Sequence, residues 1–156
     1  MFRKLTRKKQ QLSYEECIKI LKQEVRGVLA VNGDDNYPYT FPINYYYDES
    51  TNKIYFHSGK SGYKIDALKE NNKVSFCVYD KGYRINNHWS LNISSVIIFG
   101  KISFLYNFPD DLMIKFSMKF TDDIEYINNE ILKFKNNTIL LCLEIEHMTG
   151  KIVNES

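Results

Sequence analysis

The sequence predicts a mainly β fold, an antiparallel barrel with peripheral helices. Aromatic residues make up 15% of the chain, with twelve Tyr and ten Phe, and both types favour pleated, half-buried strands. Runs with period-two alternation, of which Lys73 to Tyr79 (KVSFCVY) is the cleanest, are separated by clusters of turn formers. The elements read along the chain run α, β, β, β, α, β, β, α, α, β, an order of hairpins with few helices. The strand–helix alternation and the G-x-G-x-x-G of a dinucleotide-binding parallel sheet are both missing.

The chain has 156 residues, the size of one domain with its own core. Its first ten residues hold Arg3, Lys4, Arg7, Lys8 and Lys9 and no acid, so the formal charge of +2 comes from an arm attached to a net acidic body. We therefore divide the chain into a basic arm, 1–12, and a single domain, 13–156. Five charges with no aromatic interleaving beyond Phe2 make a weak, salt-sensitive phosphate contact, which argues against a nucleic-acid function. No apolar run approaches the roughly 18–20 residues of a membrane span, and no apolar segment follows the basic start as in a secretory signal. Cys17, Cys77 and Cys142 are odd in number, far apart and set in apolar patterns. They read as reduced, buried thiols of a cytoplasmic protein, and no metal-ligand spacing exists.

Ser13-Tyr14-Glu15-Glu16 has the form of a capping box, and Cys17, Ile18, Leu21 and Val25 recur at helical spacing, so a helix is expected from about Tyr14 to Glu24. Val28 to Val31 reads as a strand. Asn32 to Asn36 is dense in turn formers and returns the chain into Tyr37 to Tyr47. Pro38 and Pro42 inside that second run cannot donate ladder hydrogen bonds, so one side of it is an edge, a bulge or a surface facing something other than a strand. Asn92 to Tyr106 is a long strand with a bulge or bend at Gly100. Pro109-Asp110-Asp111 starts a helix with Met113, Phe116 and Phe120 on one face. Thr121 or Asp122 starts another with Ile124, Ile127, Ile131 and Phe134 on one face. Both stripes read as core or dimer packing. Thr138 to Ile145 is the last strand, with a turn at Thr149-Gly150-Lys151. His88 and Trp89, in the irregular stretch from Asp80 to Leu91, fit either a lid or a surface pair.

Residues 37 to 71 organise the rest. Lys53 to Ser58 is a strand that ends in His57 and Ser58. It runs through Gly59 to Gly62 into a helix with Ile65 and Leu68 on one face. The first N–H groups of such a helix lack internal partners and carry the positive end of its dipole, so an anion can sit there. Ser61 is the expected N-cap, which puts Lys64 in the first turn beside the anion. From spacing alone, Lys64 fits a solvated surface lysine as well as a phosphate ligand. His57 fits an inert strand-end histidine or a group that meets a substrate. Pro42 and Asn44 fit edge-strand devices or a strand that lets a flat ring approach.

Taken in order, Gly27-Val28-Leu29-Ala30, Tyr37-Pro38-Tyr39 with Pro42-Ile43-Asn44, Ile54-Tyr55-Phe56-His57-Ser58 with Gly62-Tyr63-Lys64, Ser95-Val96 with Phe99-Gly100, and Thr149-Gly150-Lys151 resemble the FMN-binding split-barrel family related to pyridoxamine 5'-phosphate oxidase. Within it the chain is most similar to the branch of nitroimidazole-resistance flavoproteins. The resemblance implies an antiparallel split β-barrel and a homodimer with FMN at the subunit interface. By position, Thr40, Pro42, Ile43 and Asn44 would run along the isoalloxazine edge. His57 and Ser58 would lie at the ring and phosphate side, Lys64 would pair with the phosphate, and Ser95 and Val96 would add flavin contacts. His57 is the candidate catalytic residue. Tyr63 and Ser94 stand where the family's oxidases carry Arg, and the Arg-rich C-terminal substrate segment of those oxidases is absent, which argues against pyridoxamine phosphate as substrate.

The function expected is that of an FMN-dependent oxidoreductase reducing a small organic molecule such as a nitroaromatic. The alternative is a flavin- or haem-binding split barrel without turnover, with His57, His88 and His147 available as haem ligands.

Overall fold

The computed structural model describes residues 1–155. Seven strands run β1 (Arg26–Asn32), β2 (Pro38–Asn44), β3 (Tyr46–Asp48), β4 (Lys53–Gly59), β5 (Lys73–Tyr79), β6 (Leu91–Leu105) and β7 (Thr138–Glu155), with helices α1 (Tyr14–Gln23), α2 (Tyr63–Glu70), α3 (Asp110–Ser117) and α4 (Ile124–Phe134). The strands form one sheet in the order β2-β1-β5-β6-β7-β4-β3, with every pair antiparallel. The sheet curls into the half-barrel of a split-barrel fold, as the hairpin order predicts.

Closure follows from chain connectivity. The two strands at opposite ends of the sheet, β2 and β3, are separated in sequence by Tyr45 alone, so the sheet must bring its ends together there. The single strand expected over Tyr37 to Tyr47 is thus two strands, broken at this seam. Tyr45 is fully buried. Its ring packs edge-on to Phe76 at 5.1 Å, and its hydroxyl donates to the Leu21 carbonyl at 2.9 Å, the partner a buried Tyr hydroxyl requires.

Inward residues of alternate positions, including Leu29, Phe56, Phe76, Val96 and Ile98, form one core cluster with Cys17, Ile18 and Leu21 of α1 and Ile65 and Leu68 of α2. α1 begins where its capping box predicts. The Ser13 hydroxyl accepts from the Glu16 N–H, and the Glu16 carboxylate accepts from the Ser13 N–H at 2.7 Å. The ladder between β6 and β7 shifts register between Phe99 and Gly100, the bulge expected at Gly100.

Three sequence expectations are corrected. Thr149-Gly150-Lys151 is not a turn: it continues β7, with Gly150 paired to Val96. A Cβ on Gly150 would lie 2.3 Å from the Cys17 sulfur, so this glycine serves close approach of α1 to the sheet. Phe120 lies beyond α3, in a turn closed by its N–H to the Ser117 carbonyl. Finally, α4 starts beyond both Thr121 and Asp122, at an Asp123 N-cap whose carboxylate accepts from the Tyr126 N–H.

Lys119, just past α3, fixes the α3–α4 pair to the barrel. Its ammonium donates to the carbonyls of Leu21, Glu24 and Tyr45 and sits 3.8 Å over the Tyr45 ring. Leu21 and Glu24 belong to the C-terminal end of α1, where carbonyls lack helical donors and a cation suits the dipole.

Candidate functional site

The strand β4 alternates so that Ile54, Phe56 and Ser58 face the barrel interior while His57 faces out. Ser58 is 7% exposed, and among the described residues its hydroxyl oxygen has no hydrogen-bond partner. An unpartnered buried hydroxyl costs about 1–3 kcal/mol, so Ser58 is a candidate contact for a bound group.

α2 starts close by. Its N-cap is Gly62 rather than the expected Ser61, and no side chain caps it. Gly62 has φ of 118°, a conformation that disfavours any residue with a Cβ. This backbone takes the chain from β4 into α2 in so few residues that Ser61 falls outside the capping position. The Ile65 and Asp66 N–H groups donate to the Gly62 carbonyl, which leaves the Tyr63 and Lys64 amides as the uncapped donors an anion could meet. Lys64 sits in that turn, half-buried, with no carboxylate partner among the described residues. Its ammonium lies 5.6 Å from the centre of the Phe41 ring on β2.

Tyr63, beside it, has a different task. Its hydroxyl accepts from the Asp34 N–H at 2.7 Å, and its ring tilts against Tyr39 at 4.7 Å. It thereby ties the β1–β2 turn to the start of α2.

His57, Ser58 and Lys64 line one cavity of about 560 Å³, whose far wall includes Met113 of α3 and Glu130 and Phe134 of α4. That volume is within the roughly 300–1,000 Å³ of small-molecule sites. The His57 imidazole retains open surface at its rim, yet one face is stacked on Phe116 at 5.1 Å and 15°. Burial pushes its titration below the ordinary value, and the Lys64 ammonium adds to the effect. The ring is neutral at pH 7, able to donate from one nitrogen and accept at the other.

The expected flavin-edge residues lie on β2. This strand pairs with β1 along one side only, so its other side is a free edge, as Pro38 and Pro42 foretold. Thr40 and Pro42 are exposed, Asn44 is half-buried and Ile43 is in the core. β2 and β4 approach each other across the open side of the barrel, which brings Thr40 to Asn44 toward Lys64. Ser95 and Val96 are elsewhere, in the middle of β6 and laddered to both β5 and β7. Val96 is fully buried and Ser95 half-buried, and neither lines the cavity. His147 is stacked under Phe2 of the N-terminal arm at 4.7 Å, and His88 is exposed in the loop after β5. Sequence reasoning missed Phe116, Glu130 and Phe134 as site residues. Phe116 and Phe134 had been placed in packing stripes, and Glu130 gave no signal.

The family model for pyridoxamine 5'-phosphate oxidase matches residues 13–152. The chain belongs to the pyridoxamine 5'-phosphate oxidase family. Among solved structures, a candidate 5-nitroimidazole antibiotic resistance protein from Bacteroides thetaiotaomicron superimposes with a TM-score of 0.75 at 20% identity, over 93% of this chain and 87% of that one. An FAD-binding protein from Mesorhizobium loti gives 0.65 at 23% identity, over 92% and 97%. The FAD-binding protein from Mycobacterium smegmatis gives 0.64 at 20% identity, over 94% and 99%. By sequence, no curated protein is significantly similar to it. At these identities the likeness establishes the fold of this pyridoxamine 5'-phosphate oxidase family member. No helix among its described residues is long and apolar enough to cross a membrane.

Proposed function

We propose that this protein is a flavin-dependent oxidoreductase, reducing a small organic molecule such as a nitroaromatic. The observation that carries the reading is the Ser58 hydroxyl, buried and unpartnered, beside the uncapped start of α2 and the unpaired Lys64. A hydroxyl donor, free backbone amides and an ammonium together suit a phosphate dianion, and FMN presents one. The flavin supplies the electron and hydride chemistry, and the protein supplies binding, orientation and electrostatics.

Each residue then has a task. Ser58 and Lys64 hold the phosphate with the α2 amides. The free edge of β2, Thr40 to Asn44, offers unpaired backbone groups to the ring. Neutral His57, held by Phe116, can donate a hydrogen bond to an acceptor oxygen. The similar structures support the flavin part of this reading, because two of them are described as FAD-binding proteins. Their descriptions name no reaction for this chain.

The outward face of β1, β5 and β6 presents Val28, Ala30, Cys77, Ile97 and Phe99. Neither α1 nor α2 covers it, since both share the inward core. A second copy of the chain covers this face in the arrangement we propose, a C2 homodimer with flavin at the interface.

The decisive test is the visible spectrum of the purified protein, followed by titration with FMN. Flavin bands, or saturable uptake of FMN, support the reading. A Soret band would assign haem instead, and a colourless protein that refuses FMN would refute the flavin site.

A further inference from the structure

The α3–α4 pair supplies one wall of the cavity, yet few polar contacts hold it there. Met113, Ser117, Glu130 and Phe134 of the pair line the space together with His57, Ser58 and Lys64. Neither helix joins a strand ladder, and the N–H groups of the segment bond within the segment itself. Its charged side chains pair locally, Lys115 with Asp111, Lys133 with Glu130 and Asp110 with Lys135. Where the chain leaves α4 for β7, the Thr138 hydroxyl donates to the Phe134 carbonyl. Among the described residues, one side chain of the segment hydrogen-bonds to the rest of the barrel, and that is Lys119.

Lys119 does not line the cavity. It follows Phe116 by three residues, and its N–H donates to the Phe116 carbonyl at 3.3 Å, so the two side chains leave one tight turn. Phe116 is the apolar anchor of the pair. It clusters with Tyr55 and Cys142 and stacks on His57. Lys119 is the polar anchor. Its ammonium donates to Leu21 and Glu24 at the end of α1 and to Tyr45 at the seam, over whose ring it sits at 3.8 Å. Apolar contact is non-directional, whereas hydrogen bonds fix direction as well as distance. The ammonium therefore decides how the end of α3 lies against β4. We propose that Lys119 is a positioning residue for the site. From outside the cavity it sets where the α3–α4 wall stands, and through Phe116 it holds the His57 imidazole in its stacked, dry state. The part of this inference that concerns FMN rests on the flavin reading above, and the part that concerns His57 stands without it.

The experiment is an NMR titration of His57 in flavin-free, full-length protein. Lys119→Met removes the ammonium and keeps an apolar stem. It should move the His57 midpoint up toward 6.5 by admitting water to the ring, short of that value because Lys64 still opposes the proton. Lys119→Gln keeps two N–H donors without the charge and should move it in the same direction, so it decides the matter if Lys119→Met does not fold. Tyr45→Phe is the control. It removes the hydroxyl that donates to the Leu21 carbonyl and leaves the ring under the ammonium, so it should cost stability without moving His57. A midpoint unchanged in both Lys119 variants, or moved as far by Tyr45→Phe, overturns the positioning role. FMN should also leave the Lys119→Met protein about tenfold faster than the wild type, the effect of about one lost hydrogen bond to a charged group, and an unchanged rate counts against the inference in the same way. A wild-type protein that takes up no FMN refutes the flavin reading instead, and the His57 comparison still decides this one.

Discussion

The Phe116 ring lies flat on the His57 imidazole, with centroids 5.1 Å apart and planes at 15°. The contact joins α3 to the outward face of β4, where Phe116 also clusters with Tyr55 and Cys142. It holds the imidazole still and dries one of its faces. Phe116→Ala should cost about 3–5 kcal/mol, as for a buried Phe. It should also return the His57 titration toward the ordinary 6.5, because burial is the first cause of its depression and Lys64 only the second. The sign for stability follows. The folded value lies below the unfolded one, so the unfolded chain takes up the proton first as pH falls. This contribution is complete above pH 6.5 and is lost as pH falls through 6.5 toward the folded value. NMR titration of His57 in both proteins checks this, and an unchanged midpoint in Phe116→Ala would refute the role given to the ring.

Lys119 makes a prediction at the other end of the pH scale. Burial pushes its ammonium down to about 8, from 10.5, with Glu24 opposing. Between those values the unfolded chain binds more protons than the folded one, so stability from this group rises with pH across that window. Lys119→Met should remove that slope. It should also destabilise the protein at pH 7, because the carbonyls of Leu21, Glu24 and Tyr45 lose their shared donor, at about 1–3 kcal/mol for each group left buried and unpaired. Denaturant melts of both proteins at pH 7, 8, 9 and 10 show whether the wild type gains on the variant.

Features set by neighbouring residues could be read from the sequence. The α1 capping box, the strand at Lys73 to Tyr79, the bulge at Gly100 and the edge character of β2 all depend on a few adjacent side chains or on proline's missing donor. Features set by distant packing could not. Gly150 looked like turn chemistry because a glycine gives the same local signal whether it frees the backbone or makes room. Only the position of Cys17 separates the two. The seam at Tyr45 depends on where β2 and β3 lie in the sheet. At the candidate site, the placing of Ser58 near the end of β4 and of Lys64 in the first turn of α2 was legible from the strand–turn–helix pattern. The unpartnered state of the Ser58 hydroxyl was not, since it depends on what fails to surround it. Nor was the approach of α3 and α4 to His57, which brings together segments far apart in the chain.

Assembly offers a third test. Ile97 sits in the middle of the outward face, paired to Cys77 on β5 and Thr149 on β7. A stable dimer needs on the order of 1,000 Å² or more of buried surface, and a lysine in its centre would have to lose its water. Ile97→Lys should therefore yield a monomer by light scattering at micromolar concentration. With flavin at the interface, that monomer should also retain less flavin than the wild type. A wild-type protein that is monomeric with flavin bound would sink the proposal.

The phosphate cradle gives separate predictions for stability and for FMN binding at its two side chains. Ser58 carries an unpartnered hydroxyl when nothing is bound, so Ser58→Ala should leave the flavin-free protein as stable as before or more stable, by up to about 1–3 kcal/mol. The same change should weaken FMN, because the phosphate loses a donor. Lys64→Ala should leave stability alone, since the ammonium makes no ion pair among the described residues. Hydrogen bonds to charged groups are worth about 1.5–3 kcal/mol, and each 1.4 kcal/mol is about tenfold in affinity. Lys64→Ala should thus bind FMN roughly ten- to a hundredfold more weakly, with riboflavin, which lacks the phosphate, little affected. Lys69→Ala, near the other end of α2, is the control and should change neither. Thermal melts and fluorescence titrations with both ligands give all of these values. Equal loss of FMN and riboflavin in Lys64→Ala would mean that the lysine supports the ring or the fold. No loss of either would move the phosphate away from the start of α2.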